Sequence, residues 1–457
     1  MAAAQQWNVT EFVDLQRGRN HRVRLALQRG RFLGRGTFGC VETVEAAVQQ
    51  RNGRWRQLGR HALKTTTDEK TELPAVDIRE IKLLTSEALL QHPNLCSPRF
   101  VSEKKLSEQA MERLMVFPLM EGSLKQLLDK RWSEQSKAGL RSIEAKCAAF
   151  QVLKGLMELD RRRLCHRDLK PANILINAST NFVVKISDFG SAAAESNQSD
   201  MTHCYVGTRP YRAPELLLQT SRYTRKIDLW SAGVILVEML KGRRPFRASS
   251  TQQLMSSIVE SLGPPSRQQL RALLLDRKEP PADVRLPADC GQSTQRQPTV
   301  KQRQMLLTSS DSRFRGLRKS AASLLFDHLL CYEPSNRLSP RLCLNHNFFD
   351  DLRRDGCCLR PRLLARSMRL PFNRDYYEKS EGSLRLVEST ALALEWASSG
   401  VWGFCWDLRR VAVKEESRCD CVDWLCGRWQ LLCADRRFAL CKWGRRLALP
   451  LSTLLHR

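Results

Sequence analysis

The stretch His166-Arg167-Asp168-Leu169-Lys170-Pro171-Ala172-Asn173 decides how the rest of the chain is read. Upstream of it, Leu33-Gly34-Arg35-Gly36-Thr37-Phe38-Gly39-Cys40-Val41 fits the pattern G-x-G-x-x-G-x-V. Glycine at those positions lets the backbone approach phosphate oxygens with nothing but N–H groups in the way. Taken alone, a glycine-rich hairpin without a ligand explains the pattern equally well. A Rossmann fingerprint needs a helix after the turn, whereas Cys40 to Val48, rich in Val and Thr, predicts a strand. Downstream come Asp188-Phe189-Gly190 and Ala213-Pro214-Glu215. Four such motifs in this order exclude coincidence.

Around these motifs the patterning predicts a β-rich start and a mostly helical body. His61-Ala62-Leu63-Lys64 follows a polar hairpin at Asn52-Gly53, which reads as a strand after a tight turn. Apolar residues recur at helical spacing over Ile78 to Leu90, Ile143 to Leu159, Lys226 to Leu240 and Ser320 to Leu330. The stretch from about Gly263 to Gln304, with Pro264, Pro265, Pro280, Pro281, Pro287 and Pro298 among polar residues, reads as a long loop or insertion.

The signature set resembles that of the eukaryotic protein kinases, over about Phe32 to Phe349. The resemblance implies an α+β, bilobal fold, with a small β-rich N-lobe and a larger helical C-lobe. It divides the chain into an N-terminal extension (1–28), a kinase domain (29–349, insertion at about 263–304) and a tail (350–457). It further implies ATP and Mg²⁺ as cofactors, and an enzyme that positions ATP and an acceptor hydroxyl and neutralises charge developing on phosphate oxygens. By this resemblance Asp168 accepts the substrate hydroxyl's proton, while Asn173 and Asp188 offer Mg²⁺ hard oxygen ligands. Lys64 pairs with the α- and β-phosphates and is held by Glu80. Gly34, Gly36 and Gly39 cover the phosphates, Leu33, Val41, Ala62 and Leu175 enclose adenine, and Met120 supplies a hinge donor. Lys170, two residues after Asp168, fits the serine/threonine pattern. Asp228 resembles the buried aspartate that braces the catalytic loop, and Arg337 the partner of Glu215. No essential catalytic position is replaced.

Three features resemble the CMGC group, most closely the cyclin-dependent kinases: Thr208-Arg209-Pro210-Tyr211-Arg212-Ala213-Pro214-Glu215, the insertion after Leu262, and Pro74-Ala75-Val76-Asp77-Ile78-Arg79-Glu80. The last is similar to a cyclin-contacting helix and implies a cyclin-like activating subunit, although Pro74 also suits the first turn of any helix. The group's mitogen-activated and glycogen-synthase-kinase-like members are the alternative. Arg79 and Arg167 match two arginines that clamp a phosphorylated activation-loop residue. A third is missing, since Ala192, Ala193 and Ala194 occupy its stretch, and Thr202 and Tyr205 are the candidate acceptors. Gly207 stands where an unusual backbone favours proline after the acceptor, Pro210 replaces an aromatic residue, Ser123 replaces a ribose-binding Asp, and Pro118 removes a hinge donor.

Composition sets a second expectation. Lys and Arg total 75 against 48 Asp and Glu, a formal net charge of +27 in 457 residues, which favours polyanionic partners. A basic scaffold binding nucleic acid or acidic proteins through Arg17 to Arg35, Lys301 to Lys319 and Arg353 to Arg374 is thus the rival to an enzyme acting on protein substrates. Without a signal-like start or an apolar run near 20 residues, the chain is expected to be intracellular, in cytoplasm and/or nucleus, with no membrane role and mostly free thiols. From Asp351 onward lie eight of the 16 Cys and six of the 10 Trp. No C-x-x-C pair occurs among Cys419, Cys421, Cys426, Cys433 and Cys441, which argues against zinc. The tail reads as a docking surface, a poorly structured apolar segment, or an extension that is not a true domain.

Overall fold

The computed structural model describes residues 7–17, 21–36, 39–69, 92–107, 110–134, 139–179, 182–195, 207–220, 223–274, 280–281, 284–286, 290, 318–350 and 352. The tail from 353 and the segment 70–91 lie outside them.

Six strands form a closed antiparallel barrel: β1 (Asn8–Asp14), β2 (Arg22–Gly36), β3 (Gly39–Gln49), β4 (Trp55–Glu69), β5 (Phe100–Lys105) and β6 (Ala110–Pro118), in the order β1-β2-β3-β4-β6-β5. The hairpin between β3 and β4 turns where Asn52-Gly53 predicts it, because Gly53 takes a left-handed φ of 79° and Asn52 Oδ1 accepts from Arg54 N at 3.0 Å. Strand alternation sends Phe12, Leu25, Leu27, Val44, Leu63, Phe100, Leu114 and Val116 into one apolar core. The stretch expected as an N-terminal extension therefore contributes to the domain. β1 pairs with β2 from Asn8↔Leu27 to Val13↔Arg22, and closes the barrel through Val13↔Val101 and Asp14↔Phe100. Its alternation of Val9, Phe12 and Val13 among polar residues is too short and too imperfect to stand out without its partners.

After β6 the chain crosses through β7 (Gly122–Ser123) into a helical body. Helices α1 (Leu124–Glu134), α2 (Ser142–Arg161), α3 (Pro214–Leu217), α4 (Lys226–Lys241), α5 (Thr251–Leu262) and α6 (Arg267–Leu274) alternate with the short pairs β8 (Leu164–Cys165) with β11 (Ala193–Ala194) and β9 (Ile174–Asn177) with β10 (Val183–Ile186). Every residue from Ile227 to Leu240 is buried, so α4 is the axis of the body rather than a surface helix. Gly242, at φ 75°, ends it. Two expectations change here. The stretch predicted as a loop after Gly263 contains α6, whose Leu273 and Leu274 are buried and whose Leu273 carbonyl accepts from Thr220 Oγ1 at 2.6 Å. The helix predicted over Ser320 to Leu330 begins as α-helix (Arg318–Ala322) and continues as π-helix (Ser323–Leu329). Among the described residues no helix is long and apolar enough to cross a membrane, and none of the seven described cysteines is in a disulfide.

At the base of the body Arg337 forms two bonds with Glu215, at 2.6 and 2.8 Å, with both residues 1% exposed and the guanidinium 5.3 Å from the Trp230 ring. Removing one member leaves a buried, uncompensated charge. Arg337→Met is expected to lower unfolding free energy by about 3–5 kcal/mol in denaturant titration, with Glu215→Gln in the same chain recovering part of the loss. Phe12→Ala is expected to cost roughly 3–5 kcal/mol; a loss below 1 kcal/mol would show that β1 contributes nothing to the barrel.

Candidate active site

The site is built on one buried carboxylate. Asp228, in the first turn of α4, accepts from His166 N at 2.7 Å through Oδ2 and from Arg167 N at 3.0 Å through Oδ1. Burial pushes its carboxyl up from the ordinary value, while His166 and the two backbone donors pull it back. These bonds hold Arg167 at a left-handed φ of 67°, a conformation unusual for a residue with a side chain. His166 links the loop to the next motif. Its Nδ1 accepts from Asp168 N at 3.3 Å, so its Nε2 carries the proton toward the Ser187 carbonyl, 3.0 Å away. Its ring lies edge-on to Phe189, with centroids 5.2 Å apart.

Asp168 projects from this loop, 14% exposed at its side chain. Lys170 Nζ lies 2.6 Å from Asp168 Oδ2 and donates to Thr208 Oγ1 at 3.0 Å. Thr208 closes the ring, its N and Oγ1 each 2.8 Å from Asp168 Oδ1. Asn173 Nδ2 donates to the Asp168 carbonyl at 2.9 Å and to Oδ2 at 3.2 Å. Every donor holds the carboxylate in one orientation. Thr208 stood inside a recognised motif but was given no role by the sequence; a hydroxyl next to Gly207 was the available signal.

The β9–β10 hairpin brings the two prospective metal ligands together. Ser187 N and Oγ donate to the Asn173 carbonyl at 2.8 and 3.0 Å, which sets Asp188 next to Asn173. Asp188 has a left-handed φ of 65° and an exposed side chain. Among the described residues no group of three or more His, Cys, Asp or Glu could hold a metal ion. One carboxylate and one amide nevertheless fit Mg²⁺, which keeps water ligands and takes the rest from phosphate oxygens.

The residues expected to contact the nucleotide lie on β2, β3, β4, β9 and the segment after β6. Lys64 lies on β4 between Val41 of β3 and Met115 of β6. Ala62 is paired with Phe117, a bulky neighbour that the sequence did not single out. Met120 and Ala62 are 9% exposed, Leu175 pairs with Ser123, and Leu33 remains 39% exposed beside the glycine turn. A Cβ on Gly39 would meet the Thr65 carbonyl at 2.2 Å, so the strands approach this closely only with glycine there. A Cβ on Gly34 would meet nothing within 4 Å. Gly36 ends β2.

The candidate regulatory residues are only partly described. Arg167 Nε donates to the Ser191 carbonyl at 2.5 Å and its Nη1 to Tyr223 Oη at 3.3 Å. Glu80, Arg79, Thr202 and Tyr205 lie outside the described residues. Gly207 has φ 78°, and its carbonyl accepts from Arg212 Nε at 2.8 Å.

Residues 27–349 match the protein kinase domain family. Among curated proteins, the chain is 30% identical over 357 residues to protein kinase MCK1 of Saccharomyces cerevisiae, covering 77% of this chain and 86% of that protein. It is 29% identical over 369 residues to the glycogen synthase kinase-3 homolog YGK3 of the same yeast, covering 78% and 86%. It is 30% identical over 325 residues to mitogen-activated protein kinase 4a of Physcomitrium patens, covering 70% and 76%. The family match spans more than half of the chain and encloses the whole Asp168 constellation, so the chain belongs to the protein kinase family, as a CMGC-type protein serine/threonine kinase.

Proposed function

We propose that this kinase binds ATP with Mg²⁺ between the barrel and the helical body and transfers the γ-phosphoryl group to Ser/Thr hydroxyls of proteins, with Asp168 as base. The observation that carries this is the ring joining Asp168, Lys170, Thr208 and Asn173. Asp168 orients the acceptor hydroxyl and takes its proton as the phosphoryl group arrives. Thr208 and Lys170 keep the carboxylate aimed, and the Lys170 ammonium offsets charge on the transferred group. Lys64 holds the α- and β-phosphates, and Val41, Ala62, Met120 and Leu175 enclose adenine. Mg²⁺ held by Asp188 and Asn173 supplies charge neutralisation across the phosphates.

Within the CMGC group we favour a glycogen-synthase-kinase-like or mitogen-activated-kinase-like enzyme, because the relatives above carry those names. A second reading, cyclin dependence, rests on Pro74 to Glu80. Preference for proline after the acceptor follows from Gly207: Arg212 occupies its carbonyl, which is then withdrawn from any substrate N–H, and proline is the residue that has none to satisfy.

Asp168→Asn is expected to lower phosphotransfer roughly 10²–10⁴-fold in a radiolabelled ATP assay while nucleotide affinity is retained. Thr208→Val is expected to lose roughly 10-fold or more, the worth of a hydrogen bond to a charged group, with Thr208→Ser close to the parent; equal activity in all three would remove Thr208 from the site. The same assay with added cyclins tests the second reading, which fails if no cyclin raises the rate. In an arrayed peptide library, proline is expected to be enriched directly after the acceptor, and an even distribution there would discard proline direction.

A further inference from the structure

One mouth of the barrel collects charge that the active site does not use. β1, β3 and β6 end there, and β2, β4 and β5 begin there. Alternation puts Asp14 and His61 on the core side of their strands at this end, where Arg56 is exposed. Asp14 follows Phe12 by two and is paired with Phe100. His61 precedes Leu63 by two and is paired with Val44. Arg56 precedes Leu58 by two and is paired with Val48, both of which pack on the barrel core. Arg99 lies just before β5, with its N donating to the Val116 carbonyl at 2.8 Å and its carbonyl accepting from Leu15 N at 2.9 Å. Its guanidinium carbon is 4.8 Å from the centre of the Phe100 ring.

Arg99 is the unusual member. Its Nε is buried and has no hydrogen-bond partner among the described residues. A buried guanidinium N–H in that position costs free energy unless an acceptor reaches it. Burial lowers the Arg99 pKa, the nearby Asp14 raises it, and Arg56 and Arg17 lower it further. Burial lowers the His61 pKa from its ordinary value, the Gly59 carbonyl raises it and Arg99 lowers it again. Asp14 does not discharge the cluster: it is 3% exposed, accepts from Gln16 N at 3.2 Å and lies 3.8 Å from Arg17 Nε. Glu45, the other carboxylate felt by His61, lies 4.0 Å from Arg60. Three guanidinium groups against Asp14 leave a surplus of about two positive charges, close to the charge of a phosphate monoester near neutral pH.

We propose that this barrel mouth is a binding site for a phosphate group carried on a peptide side chain, with Arg99 as the recessed donor and Arg17 and Arg56 as its rim. Three arginines at one barrel mouth suit a single phosphate on a flexible tether. A nucleic-acid backbone needs a track of contacts along a groove, with bases stacked on aromatic rings. The site is separate from the Arg167 clamp, since Arg167 belongs to the catalytic loop of the helical body and Arg17, Arg56 and Arg99 to the barrel.

The test uses the full chain and a labelled Gly/Ala peptide bearing one phosphoserine, read by fluorescence anisotropy, with the unphosphorylated peptide, inorganic phosphate as competitor and a single-stranded oligonucleotide as further arms. The phosphopeptide is expected to bind, the unphosphorylated one not. Arg56→Ala and Arg99→Gln are each expected to weaken binding about tenfold or more, the worth of a charge-assisted bond. Arg56→Ala, at an exposed position outside the phosphotransfer machinery, should leave kinase activity unchanged, which keeps the test valid if Arg99→Gln misfolds. Competition by inorganic phosphate at the peptide's own affinity would assign the site to the free anion; weaker competition assigns it to the phosphorylated chain, and both support a phosphate site. Equal binding of both peptides, affinity unmoved by Arg56→Ala, or binding of the oligonucleotide alone would overturn it.

Discussion

The two backbone N–H groups that converge on Asp228 are the constraint from which the catalytic geometry follows. A carboxylate in a fully buried helix is costly to desolvate, and it persists because both oxygens are filled by donors. Those donors belong to consecutive residues, so satisfying them forces a tight backbone turn and the positive φ of Arg167. Strain at one residue thus fixes the direction of the next, Asp168. The large apolar investment in α4 holds the anchor still, since the helix bearing Asp228 is buried on every side.

A second constraint radiates from Asp168 into the activation segment. Thr208 reaches the carboxylate with both its backbone and side chain, and Gly207 beside it is bent away by the Arg212 bond. A Cβ at Gly207 would lie 2.5 Å from the Arg167 carbonyl, so the loop bearing Asp168 and the segment bearing Thr208 approach each other over a glycine. In the mechanism we propose, the pairing couples where the acceptor sits to how Asp168 is aimed. A change on either side is therefore felt on both.

Much of this was legible in the sequence because it is carried by residues close together in the chain. His166 to Asn173 and Asp188 to Gly190 are short runs that carry the resemblance to the protein kinases, and the helices at Ile143 to Leu159 and Lys226 to Leu240 announce themselves by apolar periodicity. What remained hidden depends on partners far away. β1 gains its meaning from pairing with Phe100 and Val101, some ninety residues on. α6 sits among prolines and polar residues that obscure a short amphipathic turn, and the contact of Thr208 with Asp168 spans forty positions. Arg99 looks like any surface arginine until its neighbours on the barrel are known. The +27 charge is a sum over the whole chain, and composition does not tell which arginines gather.

Barrel closure carries a consequence for self-association. The family match begins at residue 27, thirteen residues after β1 ends, so a chain trimmed to that boundary would retain every catalytic motif. It would also lose residues 22–26, most of the stretch of β2 that β1 pairs with, and so uncover the end of β3 and the start of β5, two rows of backbone donors and acceptors ready to pair with another chain. The first strand carries none of the catalytic motifs, yet together with the start of β2 it keeps those rows paired within the chain.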